Sequence, residues 1–399
     1  MKKSILCCAI ISTSLSSAVS ADWADTLSEA ISSGKTALNL RYRLESVEQD
    51  NARLDANAST LKTRLSMTSG SIGHWRAHIE FDNVSVIGLH DYDSVITGRR
   101  QFGEYSVVAD PAGTDLNQAN LHYKHEDYSL TLGKQRILHA DQRFVGGVAW
   151  RQNEQTYDAL RSTFKVSDID VDYSYLHKVN RIFDGRGTSA QATSFSGGSH
   201  ALHASSEALG GKLSAYTYLL DLEEAAALSS ATYGVSYQAK FEQFKLSLAF
   251  ASQRDYADNP VDYSANFYSV EGSMPLGGVT LALGREVLGS DGGVKAFTTP
   301  LATLHKFQGW ADMFLATPNN GIQDNYIKAN MSAGPFKLGL VYHDFSADNG
   351  SADYGSEWDL VATYPMGKKT SLQWKFADYR ADQFGVDTQK VWMTFNVAL

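Results

Sequence analysis

The chain has 399 residues, and its 44 acidic side chains outnumber 35 basic ones, giving a formal charge of −9 at pH 7. That balance argues against general nucleic-acid binding. The only two cysteines are Cys7 and Cys8, which excludes a disulfide framework or a thiolate metal site in the rest of the chain.

Residues 1–21 read as a secretory signal peptide: Lys2 and Lys3 are a positive start, Ile5 to Leu15 a short apolar core, and Val19-Ser20-Ala21 a small-residue cleavage site. Removing Lys2 and Lys3 takes the charge from −9 to −11. The leader also carries off both cysteines, which lie too early for a lipoprotein cleavage site. Asp22–Lys35 then reads as a short periplasmic amphipathic helix, with Trp23, Leu27, Ala30 and Ile31 on one face and Gly34 as its stop.

From residue 36 to 399 the dominant signal has period two. Tyr233, Val235, Tyr237, Ala239 and Phe241 alternate with Thr232, Gly234, Ser236, Gln238 and Lys240, which gives a strand one apolar and one wet face. Similar stripes fall at 38–44, 61–67, 75–81, 119–123, 128–132, 157–164, 169–175, 200–208 and 213–219. They continue at 233–241, 244–250, 265–270, 279–283, 326–331, 336–342, 358–364, 372–376 and 391–399. No later segment reaches the roughly 18 apolar residues of a membrane helix. The expectation is an all-β transmembrane antiparallel up-and-down barrel of about 18 strands, or 16 if the stripes at 200–208 and 265–270 are not strands.

Short links (70–73, 126–127, 167–168, 209–211, 242–243, 274–278, 333–335 and 365–369) alternate with long ones, which include 88–117, 139–154, 181–199, 286–323 and 345–355. Short periplasmic turns and long external loops produce that alternation.

Parity selects the lumen residues. Arg41 and Arg43 share the wet face of the first strand, Lys62 and Arg64 that of the second, His122 and Lys124 that of the fourth, and Arg161 faces in further on. Such rows either solvate the lumen and pair across strands or form a track for carboxylates, which the planar Arg fork binds bidentately. In 139–155, Arg143, Arg151, Gln152, Asn153 and Gln155 lie beside Gly146-Gly147. If this loop bends inward it narrows the pore with donors, and rings of Arg or Lys select anions; otherwise it is a packed cap. Arg136 falls on the outward parity beyond the apolar band, and a bulge would turn it inward. The neighbours His90-Asp91 and His343-Asp344 point to opposite faces of a strand and make no catalytic dyad. Asp255, Asp258, Asp262, Asp348 and Asp353 read as solvated loop acids rather than a Ca2+ site.

Several blocks resemble the alginate-export family of outer-membrane porin-like proteins. They are 28–45, 107–120, Leu132-Gly-Lys-Gln-Arg136 with Gln142-Arg-Phe-Val-Gly146, Trp150-Arg-Gln-Asn-Glu-Gln-Thr-Tyr-Asp158, Asn180-Arg-Ile-Phe183, and the 296–312 region. The resemblance implies a monomeric barrel that passes or binds a polyanionic or sugar-like solute. The resulting expectation is a Gram-negative outer-membrane channel for a small hydrophilic, anionic, alginate- or uronate-type solute. It has no cofactor and no catalysis. Its partners are outer-membrane lipid and lipopolysaccharide, the solute, and the barrel-assembly machinery during biogenesis. The alternative is a non-conducting surface receptor or adhesin barrel with functional external loops.

Overall fold

A computed structural model describes residues 21–399; the signal peptide expected at the start of the chain lies outside them, apart from residue 21. Helix α1 (Ala21–Ser32) ends at Ser33, whose N–H reaches Glu29 O. Ala30 is buried and its carbonyl accepts from Gly70 N at 2.7 Å, while Trp23 and Ile31 remain exposed.

The rest is one closed sheet of 18 antiparallel strands. Its first half comprises β1 (Lys35–Gln49), β2 (Ala56–Thr68), β3 (Trp75–Asp91), β4 (Gly113–His125), β5 (Tyr128–Gln135), β6 (Thr156–Val166), β7 (Ile169–Asn180), β8 (Ser194–Ala208) and β9 (Gly211–Leu220). Then follow β10 (Ser230–Phe241), β11 (Phe244–Asp255), β12 (Ser264–Leu276) and β13 (Val279–Leu288). A two-residue hairpin, β14 (Ser290–Asp291) and β15 (Lys295–Ala296), stands apart in a loop. The sheet resumes with β16 (Ile322–Ala333), β17 (Phe336–Ser346), β18 (Asp353–Pro365), β19 (Thr370–Ala381) and β20 (Thr388–Ala398). Each strand pairs with its neighbour in sequence, and β1 pairs with β20 from Asn39↔Ala398 to Gln49↔Thr388. Closure removes the sheet edges that hydrocarbon cannot tolerate.

All the stripes read from the sequence are strands, including 200–208 and 265–270. Most continue past their apolar residues toward the long loops, where the belt no longer dictates an apolar face. Leu65, Ile79, Leu121, Leu132, Val235, Leu248, Phe250 and Leu360 are exposed on the outer surface, as a lipid-facing belt requires. The tight turns set register: at the β8–β9 link Leu209 and Gly210 have φ of 55° and 78°, the left-handed pair that matches strand twist in a two-residue hairpin.

The seam between β1 and β20 depends on the final residues. Leu399 N donates to Leu38 O at 2.8 Å and Ala398 N to Lys369 O at 2.8 Å. Deleting Val397–Leu399 strips β1 and β19 of partners at the apolar belt, and each unmatched backbone group there costs several kcal/mol. The truncated chain is expected to disappear from the membrane fraction. Normal membrane levels with intact heat-modifiability on a gel would show that the seam does not need these residues.

Candidate functional site

Two segments leave the wall and fill part of the lumen. The first, 136–155, starts where β5 stops at only eight residues. The second, 297–321, follows the small hairpin. They zip together: Val145 bridges Leu301, Gly146 N donates to Leu301 O at 2.9 Å, and Thr303 N donates to Gln142 O at 3.1 Å. A Cβ on Gly146 would sit 2.9 Å from Thr303 N, so this close approach needs glycine. Gln155 reinforces the junction by donating to Gly146 O and Leu301 O, both at 3.0 Å. Phe144 packs beneath it against Tyr216, Tyr218, Phe267 and Phe297.

The basic residues of β1 and β2 meet the first loop in two closed networks. In one, Lys62, Arg64 and Arg136 surround Glu80, Asp82 and Glu154. Arg64 holds Asp82 through Nε at 2.7 Å and Nη2 at 2.6 Å, and its Nη2 lies 2.7 Å from Glu154. Lys62 Nζ lies 3.2 Å from Asp82 and 3.4 Å from Glu154. Arg136 donates to Glu154 at 2.5 Å and also pairs with Glu80. A bulge at Glu80/Phe81 turns Asn117 in, so that it donates to Glu80 at 2.8 Å. Burial alone would raise the Glu154 pKa, but the three cations outweigh it and hold the carboxyl well below its usual range.

In the second network Arg151 makes two bidentate pairs, with Asp110 at 3.1 and 2.9 Å and with Glu45 at 3.1 and 3.0 Å. Asp110 is fully buried, which would raise its pKa, yet Arg151 and Arg43 keep it ionised. Arg43 also lies over the Trp150 ring at 4.2 Å. Gln152 is buried, donating to Thr60 Oγ1 at 2.9 Å, and Asn153 donates to Pro111 O at 3.0 Å. Among the described residues Arg41 donates to neutral acceptors, Ala149 O at 2.9 Å and Asn396 Oδ1 at 3.2 Å being its shortest hydrogen bonds.

The second loop is pinned to β18 and β19. Trp310 N donates to Asp359 at 3.1 Å and Ala311 N to Glu357 at 2.7 Å. Lys375 Nζ lies between the Trp150 and Trp310 rings, 3.9 and 3.6 Å from their centroids, and 2.7 Å from His305 Nε2. Burial and then Lys375 push the His305 pKa down to about 3, so this ring meets the ammonium as a neutral acceptor.

These placements correct the expected narrowing. The 139–155 loop does bend inward, but Arg143 and Arg151 do not present free charge to a solute. Arg143 is buried against Glu286 at 2.9 Å, Thr299 at 2.8 Å and the Phe307 ring. Desolvated guanidinium groups demand carboxylates, and parity alone names no partners. Arg136 faces in without a bulge of its own, because the wall ends at Gln135 and parity no longer applies. Arg161 pairs with Asp172 at 2.5 Å, His122 with Thr131 at 2.9 Å, and Lys124 is exposed at the turn end.

A cavity of about 480 Å³ is lined by Arg41, Lys62 and Arg64 with Lys368 and Lys369 of the β18–β19 turn, and larger open space lies elsewhere. A cavity of about 870 Å³ is lined by Lys212, Gln238, Lys240, Lys245, Ser247 and Glu271 on one side and by Lys306, Phe307 and Trp310 of the second loop on the other. A neighbouring cavity of about 560 Å³, lined by Ser205, Ser214 and Ser236, shares Asp141, Lys212 and Gln238 with it. The wall of β8–β12 thus carries small hydroxyls and lysines. A signal for it was present, since Lys240 and Lys245 hold the wet parity of their strands. What parity lacks is which side of the lumen the loops leave empty.

The model of the alginate-export family matches residues 34–293. The chain belongs to the alginate-export family. That match spans the first loop, β1 to β13 and the hairpin's first strand, and stops before the second loop. No curated protein matches the chain in sequence. Among solved structures, OccAB4 of Acinetobacter baumannii is similar, with 14% identity, TM-score 0.68 and coverage of 92% of this chain and 98% of that one. OpdK of Pseudomonas aeruginosa, solved with vanillate, gives 12%, 0.69, 92% and 99%, and OccK9 (OpdG) of the same organism gives 15%, 0.67, 93% and 100%. At such identities the likeness establishes a shared barrel fold, which this member of the alginate-export family has over nearly its whole length.

Proposed function

We propose that this protein is an outer-membrane channel through which a small hydrophilic, anionic, sugar-like solute passes without energy input. The observation that carries the reading is the wet cavity of about 870 Å³ between the inward loops and the β8–β12 wall, whose lining sets Lys212, Lys240, Lys245 and Lys306 beside Asp141, Glu207 and Glu271, inside a barrel whose outer face is apolar. Membership of the alginate-export family supports an anionic carbohydrate as the solute class. In this reading 1–21 is a signal peptide, α1 is a short periplasmic helix, the short turns face the periplasm and the long loops face out. Lys212, Lys240, Lys245 and Lys306 offer charge that a solute can reach, whereas the arginine networks hold the first loop in place.

Planar-bilayer recordings in a KCl gradient test this directly. Discrete ionic conductance is expected, with a reversal potential displaced toward that of chloride. The displacement should shrink as salt rises toward 1 M, where the screening length falls to about 3 Å. A silent, correctly folded barrel would favour a receptor or adhesin, and a cation-selective one would rule out the anionic solute.

A further inference from the structure

The paired arginines deep in the lumen differ from the cations at its turn-side mouth. At the turn-side end of six of the 18 wall strands the last lumen-parity position carries a lysine: Lys124 on β4, Lys165 on β6, Lys212 on β9, Lys240 on β10, Lys245 on β11 and Lys337 on β17. All six are exposed, and among the described residues none has a carboxylate within 4.0 Å. The acids sharing that level and parity are Asp170, opposite Lys165, and Glu207, opposite Lys212, and the turns beside them add Glu126, Asp127, Asp168 and Glu242. The opposite end of the barrel has the reverse sign in places. The 221–229 connection holds Asp221, Glu223 and Glu224, and 347–353 holds Asp348 and Asp353, with no Lys or Arg in either.

One pair within this ring is unfavourable by itself. Lys240 and Lys245 lie directly opposite each other across β10 and β11, and both line the large cavity. Like charges at opposed positions destabilise a sheet, and a local conflict of this kind marks places where function outweighs stability. Two ammonium groups on adjacent strands, about 5 Å apart in backbone spacing, can both donate to one carboxylate. Lys212, Lys240 and Lys245 stand on the adjacent strands β9, β10 and β11, about 5 Å apart in backbone spacing and inside the screening length of about 8–10 Å at ordinary ionic strength, so their fields add at the mouth.

We propose that these lysines form an anion-gathering collar. It draws multiply charged carboxylates into the channel from the side of the short turns, with Lys240 and Lys245 jointly taking one carboxylate of the incoming molecule. The inference rests on the channel reading and adds to it a side of entry and a docking point. Charge of one sign around a low-dielectric mouth raises the local concentration of the opposite ion, and the unlike sign at the loop end makes the effect one-sided.

The test is block of ion current by citrate, a tricarboxylate, added to one chamber at a time in 0.1 M KCl. Cys7 and Cys8 are replaced by Ser and Leu209→Cys is introduced in the exposed β8–β9 turn. A membrane-impermeant maleimide then reports which chamber the turns face. Citrate from the turn side should block at a concentration about tenfold lower than from the loop side. Lys240→Gln with Lys245→Gln should abolish most of the difference while leaving heat-modifiability intact. Equal block from both chambers, or an unchanged difference in the double variant, would overturn the collar while leaving the channel in place. If the barrel conducts nothing, the channel reading fails, and equilibrium dialysis of citrate against the purified protein decides the collar. Binding lost in the double variant sustains it, and binding that is absent or unaltered ends it.

Discussion

Arg151→Gln is expected to loosen the barrel more than any other single loss of charge in the lumen, by about 3–5 kcal/mol, the usual cost of breaking a buried ion pair from one side. Arg151 is 6% exposed, Glu45 3% and Asp110 0%, and both carboxylates would be left without their bidentate partner in a site water does not reach. The residue also ties the first loop to β1, through Glu45, and to the β3–β4 connection, through Asp110, so its loss frees the loop as well as the pair. The measurement is the urea midpoint for loss of heat-modifiability in detergent or vesicles. Arg161→Gln, which breaks a half-exposed pair with Asp172, serves as the comparison and should cost about 1 kcal/mol or less. The combination Arg151→Gln and Glu45→Gln should be more stable than Arg151→Gln alone, because Glu45 is no longer a stranded carboxylate while Asp110 keeps the buried Arg43 as its partner. A single variant as stable as the parent would mean that the network is solvated in the membrane.

The second large effect concerns the outer surface. Leu248 lies on the lipid face of β11, paired with Tyr237 and Val270, while the adjacent Ser247 points into the large cavity beside Gln238 and Glu271. Leu248→Arg should cost about 2–4 kcal/mol if near the bilayer midplane and deplete folded protein in the membrane. Ser247→Arg sets a cation in water near an acid and should fold to parental yield. Folded fractions separated on unheated gels report both variants. Equal yields would refute the division of faces on which every lumen assignment depends.

What the sequence determined by itself is the barrel. Alternation at 233–241 and 244–250, separated by Glu242-Gln243, states a hairpin and its two faces. Repetition of that unit along the chain leaves few alternatives, because period two is a local property and lipid enforces it on every strand. The same parity located Arg41, Arg43, Lys62 and Arg64 on the inner face. Even the weak stripes at 200–208 and 265–270 are strands, since pairing on both sides supplies what their own composition lacks.

Tertiary structure decided what those side chains do. Arg143 and Arg151 look in sequence like free donors on a glycine-bent loop. Their carboxylates come from residues far away in the chain, with Glu45 106 positions from Arg151 and Glu286 on β13 facing Arg143. Arg136 changed face because β5 stops one residue before it, and a strand's end depends on when the chain finds a better partner than its neighbour. The same physical reason placed the largest described cavity along β8–β12: two loops occupy much of the opposite side of the lumen, leaving about 480 Å³ beside Arg41, Lys62 and Arg64, and volume excluded by distant segments leaves no trace in local periodicity.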